Sequence, residues 1–262
     1  MNNKDKKIKM GLLHGSFDML ETRDIDAINI AKEECEELIV AVYSDEMYEN
    51  LKGKKPAFSA EKRKQLAEAV KGVDYAIIID NQEQLYNKER KKELIKLISI
   101  EKTKKNKEKD NDDGSKKLYE NGCIQAAMDM FHYGHLNLIN NAKKYCENLT
   151  VAVNSDDLIQ RYKNKTPIVS CKDRMKIISA IKGVDRVVKI DHRDKVKAAK
   201  ELQFDALLMG DDWKDTLFYK EQEEKLGAIG VKIVYLPRTP NVSSTDIRNE
   251  YIKRKGIYNE EK

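Results

Sequence analysis

Apolar positions along the chain fall into two kinds of block. Lys9–Phe17, Glu37–Tyr43 and Tyr75–Ile79 are short and nearly continuous, whereas Ile25–Cys35, with Ile25, Ile28 and Ala31 aligned, and Ala60–Val70 repeat at helical spacing. Continuous apolar runs suit strands covered on both faces, and a 3.6-residue period suits helices with one buried side. Strand, helix, strand, helix, strand in this order predicts an α/β fold of parallel βαβ units, whose ligand sites lie at the carboxyl ends of the strands.

The pattern then returns. A constant offset of 111 residues lays Gly11 on Gly122, Asp18-Met19 on Asp129-Met130, Cys35-Glu36 on Cys146-Glu147, and Val40-Ala41-Val42 on Val151-Ala152-Val153. Ser44-Asp45 falls on Ser155-Asp156, Lys52, Lys54, Pro56 and Arg63 on Lys163, Lys165, Pro167 and Arg174, and Lys71–Asp74 on Lys182–Asp185. A gapless match of this length marks a duplication. The second copy continues with a helix over Lys195–Leu202, a strand over Ala206–Met209, a polar loop at Gly210–Trp213, a helix over Thr216–Leu226, a strand over Val231–Leu236, and Ser243–Asp246 capping a terminal helix. The first copy has no such ending and reads as truncated.

These patterns predict a unit at 1–86, a charged helix and linker at 87–117, and a second unit at 118–262. Residues 88–101 predict a helix with Leu94, Ile95, Leu97 and Ile98 apolar. From Glu101 to Lys117 lysine, glutamate, aspartate and asparagine dominate, which predicts a solvated linker; interleaved acids argue against a polybasic binding segment.

Composition narrows the class. Charged residues make up 36% of the chain, so its surface is highly charged, yet the net charge of +5 is too diffuse to argue for nucleic acid and is compatible with an anionic small molecule. No run of about 18 apolar residues predicts a membrane span, and Met1–Lys7 lacks the apolar core of a signal peptide, which predicts a cytoplasmic protein. Cys35, Cys123, Cys146 and Cys171 show no metal-ligand spacing and read as reduced structural thiols. No metal site is predicted from side-chain spacing.

The candidate chemistry centres on Met128-Asp129-Met130-Phe131-His132-Tyr133-Gly134-His135, between an apolar run and an amphipathic helix. His132 and His135 share a face of the first helical turn, where backbone N–H groups are open to an anion. Imidazole donors fixed there stabilise the charge that develops on phosphorus oxygens during phosphoryl or nucleotidyl transfer. Gly134, without a Cβ, lets a nucleotide approach the backbone. The alternative, two ordinary half-buried histidines, is weakened because the chain has only four.

Four segments give the second unit a family likeness: His132-Tyr133-Gly134-His135; Lys163 and Lys165 ahead of Arg174; Met209-Gly210-Asp211-Asp212-Trp213; and Tyr235–Thr239 followed by Ser243-Ser244-Thr245. In this order, over residues 117–251, they resemble the cytidylyltransferases of the HxGH nucleotidyltransferase superfamily, most closely glycerol-3-phosphate cytidylyltransferases. A tandem pair with one degenerate copy is similar to ethanolamine-phosphate cytidylyltransferases. The resemblance implies two Rossmann-like nucleotidyltransferase units with parallel sheets, and transfer of CMP from CTP to a phosphomonoester, giving a CDP-alcohol and pyrophosphate, with Mg²⁺ accompanying the CTP. It implies that His132, His135, Lys163 and Lys165 are catalytic. Met128, Asp129, Gly134, Gly210, Asp211, Asp212, Trp213, Arg238, Thr239, Ser243, Ser244 and Thr245 would hold the nucleotide. Lys163, Lys165 and Arg174 would meet the acceptor, with His192, Arg193 and Lys195 as further candidates. Arg174 pairing structurally with an acid, and Lys163 and Lys165 as plain surface lysines, are the competing readings.

The copies depart from the family pattern in different places. Unit one has Glu21-Thr22-Arg23-Asp24 where the histidines belong, and two acids at a helix start repel a phosphate, so this unit is expected to be inactive. Unit two has Gln125-Ala126-Ala127-Met128 where the family carries glycine, a hydroxyl residue and an aromatic, and Asp191–Lys195 where glycerol-3-phosphate enzymes carry a tryptophan. Acceptor identity thus stays open among glycerol-3-phosphate, ethanolamine-phosphate and choline-phosphate. An adenylyltransferase and a non-catalytic nucleotide-binding scaffold are the rival functions. Because the family dimerises through this fold, the chain is expected to form a homodimer or to use unit one as an internal pseudo-partner.

Overall fold

A computed structural model describes residues 7–86, 91–110, 116–240, 245, 247–249 and 252. The chain divides into two compact units, 1–115 and 116–262. In the first, β1 (Ile8–Gly15), α1 (Thr22–Glu34), β2 (Cys35–Tyr43), α2 (Asp45–Lys52), α3 (Ala60–Glu68) and β3 (Tyr75–Ile79) form a parallel sheet in the order β1-β2-β3, followed by the short α4 (Glu83–Tyr86) and the long α5 (Lys91–Asp110). The second repeats this with β4 (Tyr119–Ala126), α6 (Tyr133–Lys143), β5 (Cys146–Asn154), α7 (Asp156–Lys163), α8 (Cys171–Ser179) and β6 (Arg186–Ile190). It then adds α9 (Lys195–Leu202), β7 (Ala206–Gly210), a 3₁₀ turn (Asp211–Trp213), α10 (Leu217–Gly227) and β8 (Lys232–Leu236).

The second sheet is parallel throughout, in the order β6-β5-β4-β7-β8. The chain runs outward from β4 through β5 to β6, then returns to the other side of β4. The crevice above β4 and β7 is therefore a switch point, where the loops from neighbouring strands diverge and leave room for a ligand. Unit one keeps only the outward half. Among the described residues nothing pairs with the free edge of β1.

The duplication reaches into the packing. A Cβ on Gly11 would lie 2.7 Å from Cys35 Sγ, and one on Gly122 would lie 2.5 Å from Cys146 Sγ, so in each unit the glycine makes room for the buried cysteine that opens the neighbouring strand. All four cysteines are buried and unpaired by disulfides. Arg63 and Arg174 are both fully buried and make equivalent bonds. Arg63 donates to Phe58 O, Ser16 O and Asp45 Oδ1; Arg174 donates to Val169 O, Ala127 O, Asn154 O and Asp156 Oδ1.

Two expectations are corrected. The segment from Glu101 continues helix α5 as far as Asp110 instead of running as a solvated linker. Its charges are used: Glu101 pairs with Lys64 at 2.9 Å, Lys102 with Glu37 at 2.6 Å, and Lys105 lies 5.0 Å from the centre of the Tyr75 ring. Leu94 and Ile98 close over Ile39, Ala41, Ile77 and Ile79. On the equivalent face of unit two, α9 and α10 cover Cys123, Ala152 and Ile190 instead. The second correction is local: sequence order puts Lys163 and Lys165 together in the loop after the second strand of their unit, but Lys163 ends helix α7 and Lys165 alone lies in the loop beyond its Asn164 C-cap.

Candidate active site

A cavity of about 430 Å³ lies at the carboxyl ends of β4, β5, β7 and β8. The chain leaves β4 through a tight turn in which Met128 (φ 54°) and Met130 (φ 52°) adopt the left-handed region; Phe17 (φ 49°) does so at the position equivalent to Met128. Side chains in that region cost about 1–2 kcal/mol each, so the turn must be held from outside. Asp129 holds it, accepting the Ile168 and Val169 N–H groups at 3.0 and 2.9 Å, as Asp18 accepts those of Ala57 and Phe58 in unit one. Asp129 lines the cavity, yet its oxygens are engaged with the loop that follows Lys165 and with Arg248 at 3.6 Å.

This turn delivers His132 as the N-cap of α6. Its Nδ1 accepts the Gly134 N–H at 3.0 Å. A neutral ring that accepts at Nδ1 carries its proton on Nε2 and is a donor there. Burial pushes the His132 pKa down to about 4. Burial, helped by His132 and Lys163, also holds His135 well below the usual range. The two rings stack 3.9 Å apart at 25°, and Phe131 stacks on His135 at 5.9 Å. Among the described residues, the buried His135 Nδ1 has no hydrogen-bond partner. Two neutral imidazoles thus meet at a helix start facing the cavity.

Cations surround the pair. Lys163, Lys165, Arg193, Lys195 and Arg238 all line the cavity. Lys195 is buried, donates to Gln125 Oε1 at 2.7 Å, and has its pKa lowered to about 8 by desolvation. Arg193 lies over the Tyr162 ring at 4.9 Å. On the β7–β8 side, Gly210 leaves space for Asp212, whose Oδ1 would lie 2.5 Å from a Cβ there. Asp211 accepts the Arg238 N–H at 3.1 Å, Asp212 lies 4.0 Å from the Arg238 guanidinium, and Thr239 Oγ1 accepts from Asn137 at 3.0 Å. Trp213 is 45% exposed and packs against Tyr219.

The cavity therefore brings together Met128, Asp129, His132, Gly134, His135, Lys163, Lys165, Arg193, Lys195, Gly210, Asp212, Trp213, Arg238, Thr239 and Thr245. It does not include Arg174, His192 or Asp211. Arg174, expected at the acceptor, is buried beneath the strand ends, where its guanidinium ties three carbonyls to Asp156, in keeping with the structural alternative. His192 turns to Glu201 at 3.1 Å. Ser243 and Ser244 lie outside the described residues. Sequence reasoning missed Gln125, Asn154, Tyr162 and Arg248, which also line the cavity. Only Gln125 carried a signal, as a departure from the family pattern.

In unit one, Glu21 and Asp24 stand where the histidines stand in unit two. Asp24 accepts the Glu21 N–H at 2.9 Å and closes the start of α1. His14, at the end of β1, is engaged by Tyr43 at 2.7 Å and Tyr86 at 3.3 Å.

Comparison with known proteins matches both copies of the repeat. The family model described as cytidylyltransferase-like matches residues 12–112 and 126–250. FAD synthase of Korarchaeum cryptofilum is 33% identical over 134 residues, 50% of this chain and 90% of that protein. Glycerol-3-phosphate cytidylyltransferase of Bacillus subtilis is 33% identical over 124 residues, 47% of this chain and 89% of that protein. The bifunctional protein HldE of Desulfatibacillum aliphaticivorans is 35% identical over 142 residues, 52% of this chain but only 28% of that protein. With both copies matched and each relative accounting for about one copy, the chain belongs to the cytidylyltransferase-like family of nucleotidyltransferases.

Proposed function

We propose that unit two transfers CMP from CTP to a phosphomonoester, releasing pyrophosphate, with sn-glycerol 3-phosphate as the first acceptor to test. The observation that carries this reading is the stacked, neutral His132–His135 pair at the α6 N-terminus, facing a cavity lined by six lysine and arginine side chains among the described residues. An in-line attack by the acceptor phosphate on the α-phosphorus needs alignment and charge stabilisation, and no covalent intermediate. His132 Nε2–H and His135, which also lines the cavity, donate to α-phosphate and leaving-group oxygens. Neutral donors suit this task because their protons stay in place at neutral pH. Arg238, Thr239 and the segment Ser243–Thr245 take the β- and γ-phosphates, while Gly210, Asp212 and Trp213 face the nucleoside. Lys163 and Lys165 bridge donor and acceptor phosphates, which would otherwise repel each other.

Among the described residues no group of three His, Cys, Asp or Glu side chains is placed to hold a metal ion. Mg²⁺ fits this site as part of the CTP complex, bound by phosphate oxygens, where it would neutralise the triphosphate. No described helix is long and apolar enough to cross a membrane, in keeping with small water-soluble substrates.

Pyrophosphate release from CTP or ATP, with glycerol 3-phosphate, phosphoethanolamine, phosphocholine and sugar phosphates as acceptors, tests the reading. Release that depends on both CTP and an acceptor is expected. CTP binding without release from any pair would support the scaffold reading, and preference for ATP would support an adenylyltransferase.

A further inference from the structure

One wall of the cavity is built differently from the rest. Lys195 is 6% exposed, and its ammonium is held by Gln125 Oε1 at 2.7 Å. The Gln125 amide cannot turn around without losing partners, because its Nε2 donates to His192 O at 2.9 Å and to Asn154 Oδ1 at 3.3 Å. Asn154 in turn donates to the Tyr162 hydroxyl at 3.3 Å. Beside them the Arg193 guanidinium lies over two rings, 4.9 Å from the centre of Tyr162 and 5.2 Å from that of Phe218.

Two consequences follow for any molecule entering beside this wall. An ammonium or quaternary ammonium group is recognised by aromatic faces and nearby carboxylates. Here Tyr162, the one of these two rings that lines the cavity, already has its face taken by Arg193, with Phe218 holding the guanidinium from behind, and Lys195 and Arg193 add like-charge repulsion at short range. A phosphate, by contrast, meets an ammonium that Gln125 engages through one of its three N–H donors, next to a guanidinium. A hydroxyl-bearing tail finds the Gln125–Asn154–Tyr162 network within reach.

We propose that Arg193 and Lys195 select the acceptor by admitting phosphomonoesters with hydroxyl-bearing or anionic tails and rejecting those that carry an ammonium, and that Gln125 is the positioning residue that holds Lys195 for this task. The proposal rests on the transfer reading above and narrows its acceptor class. Gln125 also gives the departure from the family pattern at the end of β4 a purpose.

Steady-state pyrophosphate release with glycerol 3-phosphate, a sugar phosphate, phosphoethanolamine and phosphocholine decides it. The unaltered chain is expected to favour a hydroxyl-bearing acceptor over phosphocholine by about a hundredfold or more in kcat/KM, in line with the several kcal/mol that like-charge juxtaposition costs. Arg193→Gln should narrow that ratio by about tenfold or more, since removing the repulsive charge and uncovering the Tyr162 ring act in the same direction. Gln125→Leu should raise KM for the acceptor about tenfold while KM for CTP stays within about twofold; a merely structural loosening would move both. Turnover of phosphocholine equal to that of glycerol 3-phosphate overturns the proposal while leaving the transfer reading intact. Equal rises of both KM values in Gln125→Leu overturn the role of Gln125. Absence of pyrophosphate from every acceptor removes the transfer reading and the proposal with it.

Discussion

The rings of His132 and His135 stack 3.9 Å apart, and the Gly134 N–H bonded to His132 Nδ1 fixes which nitrogen of the first ring carries a proton. Two imidazoles at this distance resist charging together, and burial acts in the same direction.

A pH dependence of stability follows. Because the folded-state pKa of His132 is lowered to about 4, the unfolded chain binds the proton more readily between pH 6.5 and 4. The stability that depends on a neutral His132 is present above about pH 6.5 and is lost as pH falls toward 4, by on the order of 3 kcal/mol. His132→Asn keeps an N-cap side chain but does not titrate. Thermal melts between pH 4 and 7 should show a smaller acid loss in this variant than in the unaltered chain; parallel losses would contradict the assignment.

Arg174 is expected to matter for folding more than for substrate. Truncating it takes the guanidinium donors from the Ala127, Asn154 and Val169 carbonyls and the countercharge from the Asp156 carboxylate, which keeps only the Cys171 N–H. Arg174→Ala should cost about 3–5 kcal/mol, read as a clear drop in denaturant midpoint. Arg174→Lys should recover little, since an ammonium lacks the planar fork. Full stability with a raised acceptor KM would return Arg174 to the ligand.

The buried Lys195 gives the reaction its own pH signature. Desolvation lowers its pKa to about 8, with Arg193 acting in the same sense and Cys123 facing it from β4 in the opposite one. As pH rises through about 8 the ammonium loses its charge, so acceptor kcat/KM should fall on the alkaline side. In Lys195→Arg the cation persists, and that alkaline limb should disappear from the profile. A limb unchanged in the variant would show that another group titrates.

Unit one should be silent in these assays. His14 is held by Tyr43 and Tyr86, and acids occupy the helix start beyond it. His14→Ala should leave pyrophosphate release unchanged within about twofold, whereas an activity loss approaching that of His132→Ala would mean that unit one takes part in turnover.

Much of this architecture was legible in the chain itself. Continuous apolar runs at Tyr75–Ile79 and the helical period of Lys195–Leu202 mark elements the structure reproduces residue for residue, because each is decided by local pattern. Helix α7, capped by Ser155, goes unread in the apolar pattern, since its only buried apolar side chains are the adjacent Leu158 and Ile159. The error at α5 has a different cause. Its lysines and glutamates look like a solvated tract, and only partners 37 to 65 residues away, Lys64 and Glu37, give them a surface to lie on. The same limit hid part of the site. Nothing local ties Gln125 to Lys195, 70 residues on, and the interior position of Arg174 depends on carbonyls from three separate strand ends and loops.

The histidine pair carries the central claim, and single-site variants test it most directly. Pyrophosphate release from CTP and the preferred acceptor should fall by about a hundredfold or more in both His132→Ala and His135→Ala, as removal of a preorganised donor to a developing oxyanion does elsewhere. Turnover within about tenfold of the unaltered chain, or ~1.4 kcal/mol of barrier, in either variant would contradict the assignment.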